Sequence, residues 1–189
     1  NSQNRPFKYN TACALGFFDG VHRGHASLIY EVKRFSERYG LKSMIFTFEK
    51  HPLTILSPEN APKLITDNET KSEIFEQFGV DIVNFNSVNN EFLNYGPEMF
   101  LSEILIKKFN AKALAAGFNF RFGHNGAGDS HFLSDYCNAH NIPVCILNPY
   151  VVDGMVVSSS SIREYIKNGD IPKANKLLGR NFSIEGYVS

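Results

Sequence analysis

TACALGFFDGVHRGHASLIYEVKRFSERYGLKSMIFTF, residues 11–48, begins as a short apolar run, passes through a glycine-spaced turn into a helical pattern, and closes on a second apolar run. The two runs predict strands over 11–18 and 41–48, and the stretch between them predicts a helix over 22–39. Parallel strands need such a crossover, so the segment reads as a β-α-β unit. The alternation continues outward from it. Helices are expected over 67–78, 96–109 and 129–140, and strands over 81–85, 111–117 and 142–148. The fold class is therefore α/β, a parallel sheet with helices on both faces. Open sheets of this kind bind ligands beyond the carboxyl ends of their strands, so chemistry is expected just after Phe18, Phe48, Gly117 and Asn148. Residues 151–157 read as a short strand, and 159–168 and 170–178 as helices, the last stopped by Gly179. The longest connection, 51–66, holds Pro52, Pro58 and Pro62 and leaves a strand end where a ligand would sit.

The 189 residues are enough for one domain with a sizeable core. Lys plus Arg number 19 and so do Asp plus Glu, which excludes a basic footprint for duplex nucleic acid or an anionic membrane. An anionic ligand must be met locally. No run approaches the roughly 20 apolar residues of a membrane span, and the start NSQNRPFKYN lacks a signal-peptide core, so a cytoplasmic protein without nucleic-acid or membrane partners is expected. Cys13, Cys137 and Cys145 show no CxxC spacing and lie in apolar stretches, as reduced structural thiols do.

In GFFDGVHRGH, residues 16–25, glycines at 16, 20 and 24 let the backbone approach a ligand where the first strand gives way to the first helix. A helix N-terminus offers N–H groups and a positive dipole end to phosphate. His22 and His25, three apart, project from one face of the first turn, and two imidazoles can donate hydrogen bonds to phosphoryl oxygens. A metal pair or two surface histidines is the plainer alternative. GxGxxG and GxxxxGK[ST] are both absent, which removes the main support for dinucleotide or P-loop binding. Serines 158, 159, 160 and 161 stand before a helix with Arg163 in its first turn, suited to capping or to holding phosphate. Phe118, Phe120 and Phe122 alternate around Asn119 and Arg121; aromatic faces suit a flat ring system, and Asn119 offers both a donor and an acceptor, although Phe120 suits the core better. His124, His131 and His140 read as structural or surface histidines.

FFDGVHRGH is similar to the FDGxHxGH signature of the prokaryotic FAD synthetases, within the nucleotidyltransferase superfamily marked by HxGH. TFEKHP (47–52) resembles that family's TF[ED]PHP, GFNFRFGHNGAGD (117–129) its Gx[DN]FxFGxxxxGD, and VSSSSIREYIKNGD (157–170) its SS[ST]xIR segment. The resemblance implies a Rossmann-like nucleotidyltransferase fold and synthesis of FAD and pyrophosphate from FMN and ATP. It implies His22, His25 and Arg163 as catalytic residues. ATP would lie along Gly16, Phe17, Phe18, Asp19 and Gly20, with Ser158, Ser159, Ser160 and Ser161 closing over its phosphates. Phe48, His51, Pro52, Asn119 and Phe122 would bind the flavin, and Gly126 and Gly128 would shape the loop beyond. Mg²⁺ would arrive with ATP and be held by phosphates and water, with no protein metal ligand set; Asp19 is the nearest carboxylate.

Two positions depart from the family pattern: Phe17 stands where Asn is usual and Lys50 where Pro is usual. Another HxGH transferase with a different phosphate acceptor, or a flavin or nucleotide sensor without turnover, are the alternatives. Residues 1–180 are expected to form the adenylyltransferase domain. LLGRNFSIEGYVS, from Leu177, resembles the joint to a riboflavin kinase domain, so 181–189 read as a stub of that domain, whose activity would belong to a longer parent.

Overall fold

The computed structural model describes residues 7–184, the side chains of Asn90 and Glu91 apart. Five strands, β1 (Thr11–Leu15), β2 (Lys42–Phe48), β3 (Ile82–Asn86), β4 (Ala111–Gly117) and β5 (Val144–Leu147), form one parallel sheet in the order β3-β2-β1-β4-β5. β1 is central because TACAL is buried along its whole length and carries no residue that needs water. From β1 the chain steps outward to β3, then crosses back to β4 on the other side of β1. Connections leaving β1 and β4 therefore diverge, and a crevice opens at their carboxyl ends.

Helix α1 (Arg23–Tyr39) turns Leu28, Ile29, Val32 and Phe35 to the sheet and ends at left-handed Gly40, whose N–H bonds to the Ser36 carbonyl. A short α2 (Leu53–Leu56) interrupts the long connection after β2, and α3 (Asn68–Gln77) follows, capped by Asp67. α1 and α3 cover the face formed by Ala12, Ala14, Ile45, Ala113 and Ala115. The next helices are α4 (Asn90–Leu93) and α5 (Pro97–Met99), which runs on as a π-helical stretch, Phe100–Lys108. With α6 (Ser130–Ala139), that stretch covers Cys13, Leu15, Met44, Phe46, Leu114 and Ala116 on the opposite face. Alternate residues of β1 and β4 thus feed the two cores, as the two-residue period of a strand requires.

Residues 151–157 form a hairpin rather than one strand: β6 (Val151–Val152) and β7 (Met155–Val156) are joined through Asp153 and Gly154, both left-handed. Asp-Gly is the pair that a tight hairpin turn prefers, and it was the signal for this reversal. The expected helix over 96–109 starts at Pro97 and widens into π geometry, and the connection 51–66 holds α2 and a 3₁₀ turn, Pro58–Asn60. α7 (Ser159–Lys167) and α8 (Ile171–Leu178) pack as a pair around Ile65, Val157, Ile162, Ala174 and Leu177, behind the loop that leaves β1. Of residues 181–189, read as a stub of a further domain, those from 185 onward lie outside the described part, and 181–184 have no regular secondary structure. Cys13, Cys137 and Cys145 carry free thiols, and burial pushes those of Cys13 and Cys137 up to about 12 and about 11. Among the described residues, no helix is long and apolar enough to cross a membrane.

Candidate active site

The turn between β1 and α1 breaks local backbone rules. Phe18 (φ 58°), Gly20 (φ 76°) and Val21 (φ 34°) are all left-handed. Glycine adopts this conformation freely, whereas a phenylalanine and a β-branched valine store roughly 1–3 kcal/mol each. Surrounding contacts hold the strain. The Phe18 ring is fully buried against Phe75 and His25, at 5.6 and 5.0 Å between centroids. Oδ1 of Asp19 accepts the N–H groups of Ile65 (2.9 Å) and Thr66 (3.2 Å), and the Gly20 N–H donates to Thr66 Oγ1 (3.0 Å). From the other side, Arg180 donates to the Val21 carbonyl (3.2 Å) and Arg23 to that of Lys176 (2.9 Å).

This turn delivers His22 as the N-cap of α1. Its Nδ1 accepts the His25 N–H at 3.2 Å, which fixes its proton on Nε2. The His25 ring stacks on it, 3.6 Å between centroids and 12° from parallel, with a buried Nδ1 that has no hydrogen-bond partner. A Cβ on Gly24 would lie 3.3 Å from the His22 ring, so glycine there keeps the ring in place and the first-turn N–H accessible. Burial pushes the pKa of His22 down to about 4, with Arg180 adding to the fall. Burial, then His22 and Lys71, hold His25 well below the usual imidazole range. Both rings are neutral donors near pH 7.

A second helix end faces the first. Ser158 caps α7 reciprocally with Ser161, each side chain accepting from the other's backbone N–H at 3.1 to 3.2 Å. Ser159 Oγ donates to the Asp19 carbonyl (2.9 Å), and Arg163 donates to Asp19 Oδ2 (2.7 Å). Asp19 thus ties the two helix ends together. The guanidinium is one-quarter exposed and reaches the cavity from this pair.

At the carboxyl end of β2, Phe48 packs edge-on against Phe46 and Phe92, and His51 sets its ring at 4.7 Å from Phe17 and accepts the Leu53 N–H. Burial lowers the His51 pKa, and the Arg163 charge adds to this. After β4, Asn119 and Phe120 face the same space, while Phe120 stacks on Phe122 (5.5 Å, 19°). A Cβ on Gly128 would sit 2.7 Å from the Phe122 ring, so this glycine is what lets the loop close over the ring.

All these elements surround one cavity of about 570 Å³ at the carboxyl edge of the sheet. Gly16, Phe17, Phe18, Asp19, His22, His25, Phe48, His51, Pro52, Asn119, Ser158, Ser159, Ser160 and Arg163 line it. Three expected site residues do not. Gly20 turns inward to Ile65 and Leu178, Ser161 is committed to the cap, and Phe122 is buried against Phe100 in the core beneath. Lys50 also lies outside the lining. The sequence reading missed Leu28, Arg121, Pro149, Tyr150 and Val156, of which the segment after Asn148 had been marked only by its place beyond a strand. Arg121 pairs with Asp129 at 3.6 Å. His124 and His140 bond to backbone carbonyls, of Leu93 and Tyr136. Among the described residues, no three His, Cys, Asp or Glu side chains cluster as metal ligands, and Asp19 is the one carboxylate on the cavity wall.

Comparison with known proteins gives a consistent picture. Two bifunctional riboflavin kinase/FMN adenylyltransferases are similar: that of Bacillus subtilis (34% identical over 176 residues, 93% of this chain and 55% of that protein) and that of Buchnera aphidicola subsp. Schizaphis graminum (32% over 180 residues, 95% and 58%). The chain thus spans little more than half the length of the curated relatives it matches. A crystal structure described as a macrolide-efflux protein from Streptococcus pneumoniae superposes with a TM-score of 0.85 at 26% identity, covering 96% of this chain and 59% of that one. The family model described as FAD synthetase matches residues 4–161, which include the strained turn, both histidines and the serine cap. This chain belongs to the FAD synthetase family.

Proposed function

We propose that this chain is an FMN adenylyltransferase, forming FAD and pyrophosphate from FMN and ATP. One observation carries the reading: a single cavity has a stacked histidine pair on a helix N-terminus at one side and an aromatic and amide wall, Phe48, Asn119 and Phe120, at the other. The first suits a polyphosphate and the second a flat heteroaromatic ring.

A phosphate oxygen of FMN attacks the α-phosphorus of ATP, the bond from that phosphorus to the bridging oxygen breaks, and pyrophosphate leaves. The nucleophile is already ionised near pH 7, so the protein has to position two polyanions and stabilise charge rather than remove a proton. His22 donates through Nε2–H, because its Nδ1 is engaged by the His25 N–H. Negative phosphate beside the rings opposes the effect of burial and favours their protonation, strengthening the grip as charge develops. Phosphate oxygens would share Arg163 with Asp19, which already ties the α7 end to the α1 end.

When bound, Mg²⁺ neutralises charge on the phosphates. With Asp19 already engaged by Ile65, Thr66 and Arg163, the ion would be held mainly by ATP oxygens and water. A cytoplasmic reaction agrees with the three free thiols. The riboflavin kinase activity in the relatives' names is assigned to the part of their length that this chain does not match.

Purified chain incubated with FMN, ATP and Mg²⁺ is expected to yield FAD and pyrophosphate in equal amounts. Pyrophosphate released only with another acceptor, such as nicotinamide mononucleotide, would redirect the reading to a different transferase. Calorimetric binding of FMN and ATP without FAD would make the chain a sensor.

A further inference from the structure

Lys71 of α3 is fully buried, and its Nζ has no hydrogen-bond partner. The ammonium sits over the Phe17 ring, 4.2 Å from the centroid, with Phe85 at 5.9 Å. The Phe17 ring also meets that of His51 edge-to-face, 4.7 Å between centroids, and the Phe17 carbonyl accepts Thr47 Oγ1 at 2.9 Å. Phe17 and His51 both line the cavity, whereas Lys71 does not. A buried ammonium without an acceptor is less stable than an apolar side chain of the same volume, and an aromatic face compensates only part of that loss. Burial holds the Lys71 pKa below the usual lysine range, and the carboxylates of Asp19 and Asp67 only partly oppose this. A group held at such a disadvantage one ring away from a ligand cavity marks function rather than packing.

We propose that Lys71 is a positioning residue: its ammonium, seated on the Phe17 ring, fixes Phe17 and through it His51 as the wall against which FMN docks. The inference rests on the FMN reading above.

Lys71→Met removes the charge at nearly constant volume. The variant is expected to melt above wild type, while KM for FMN rises about ten-fold, the scale of one desolvated cation–π contact, and kcat stays within about two-fold. Stability and function move in opposite directions, which a residue with a merely structural role could not produce. In a Phe17→Leu background the same change should add nothing to KM, because the ring through which Lys71 acts is gone. An unchanged KM, a full additive loss in the double variant, or a Lys71→Met chain that melts lower or fails to fold would each overturn the proposal. Melting and FMN binding, the latter followed by quenching of flavin fluorescence, are read without turnover. A wild-type chain that binds FMN but makes no FAD therefore refutes adenylyl transfer alone, and Lys71 then stands or falls on a ten-fold loss of FMN affinity with a raised melting temperature.

Discussion

Two helix N-termini face one cavity, and they are built in opposite ways. The α7 end follows the rules: a serine cap, a reciprocal bond from Ser161 and ordinary extended backbone at Ser158. The α1 end uses a histidine as its cap, reached through left-handed Phe18 and Val21. A serine there would satisfy the same N–H. What histidine adds is a second nitrogen directed away from the cap, so one side chain both closes the helix and offers a donor. On the proposed function, the α7 end is structure lent to a ligand, while the α1 end gives up stability for chemistry.

Acid should separate the two ends most strongly. His22 titrates near 6.5 when unfolded, and burial lowers it to about 4 in the fold. Its contribution to stability is therefore complete above pH 6.5 and is lost as pH falls towards 4, by about 3 kcal/mol, because the unfolded chain binds the proton first. His25, held low by burial and by the charges of His22 and Lys71, adds a loss of the same sign. Serine caps do not titrate in this range. Urea unfolding of the ligand-free chain at intervals from pH 7 to 4.5 checks this; a flat profile would show that the rings are hydrated. Saturating ATP should flatten the decline, since phosphate favours the protonated rings.

The next effect is on turnover. His25→Ala is expected to lower FAD formation about 100-fold, the usual scale for removing one preorganised donor. Folding should survive, because the His22 cap needs only the backbone N–H of residue 25. His22→Asn keeps a side-chain acceptor for that N–H while deleting the imidazole, so it should also lose about 100-fold in rate while melting within about 4 °C of wild type. Near wild-type rates in either variant would remove the histidine pair from the reaction.

Much of this was legible in the sequence because it is carried by local signals. The β-α-β pattern, the Gly179 stop and the serine run before α7 each depend on neighbouring residues, and each appears where it was expected. The family motifs brought His22, His25, Asn119 and Arg163 to one cavity. The roles of Gly20, Ser161 and Phe122 were not legible, since a motif specifies which residues recur and not whether a side chain faces the ligand or the core beneath it. Lys71 had no signal at all. It is a polar residue among polar neighbours in NETKSEIFEQ, and only the packing of α3 against the turn after β1 reveals that it is buried. The Asp19–Arg163 pair spans 144 positions and is likewise a product of topology.

The smallest expected effect bears on the regular end. Ser158→Ala removes the acceptor for the Ser161 N–H and one partner of Ser161 Oγ, and loss of a serine cap costs about 1 kcal/mol. Ser161 Oγ retains the carbonyls of Val156 and Ser158 as acceptors, which limits the damage. Arg163 is fixed by Asp19 rather than by the cap, so the guanidinium should stay in place and kcat/KM should fall by less than about five-fold, the equivalent of roughly 1 kcal/mol. Thermal melting and steady-state FAD formation, measured on Ser158→Ala beside His22→Asn, set the two ends against each other directly. If the serine variant loses as much rate as the histidine variant at similar stability, the two helix ends share the chemistry. If it loses only stability, the division holds: α7 supplies a rigid platform for Arg163, and the strained turn before α1 holds the reacting phosphates.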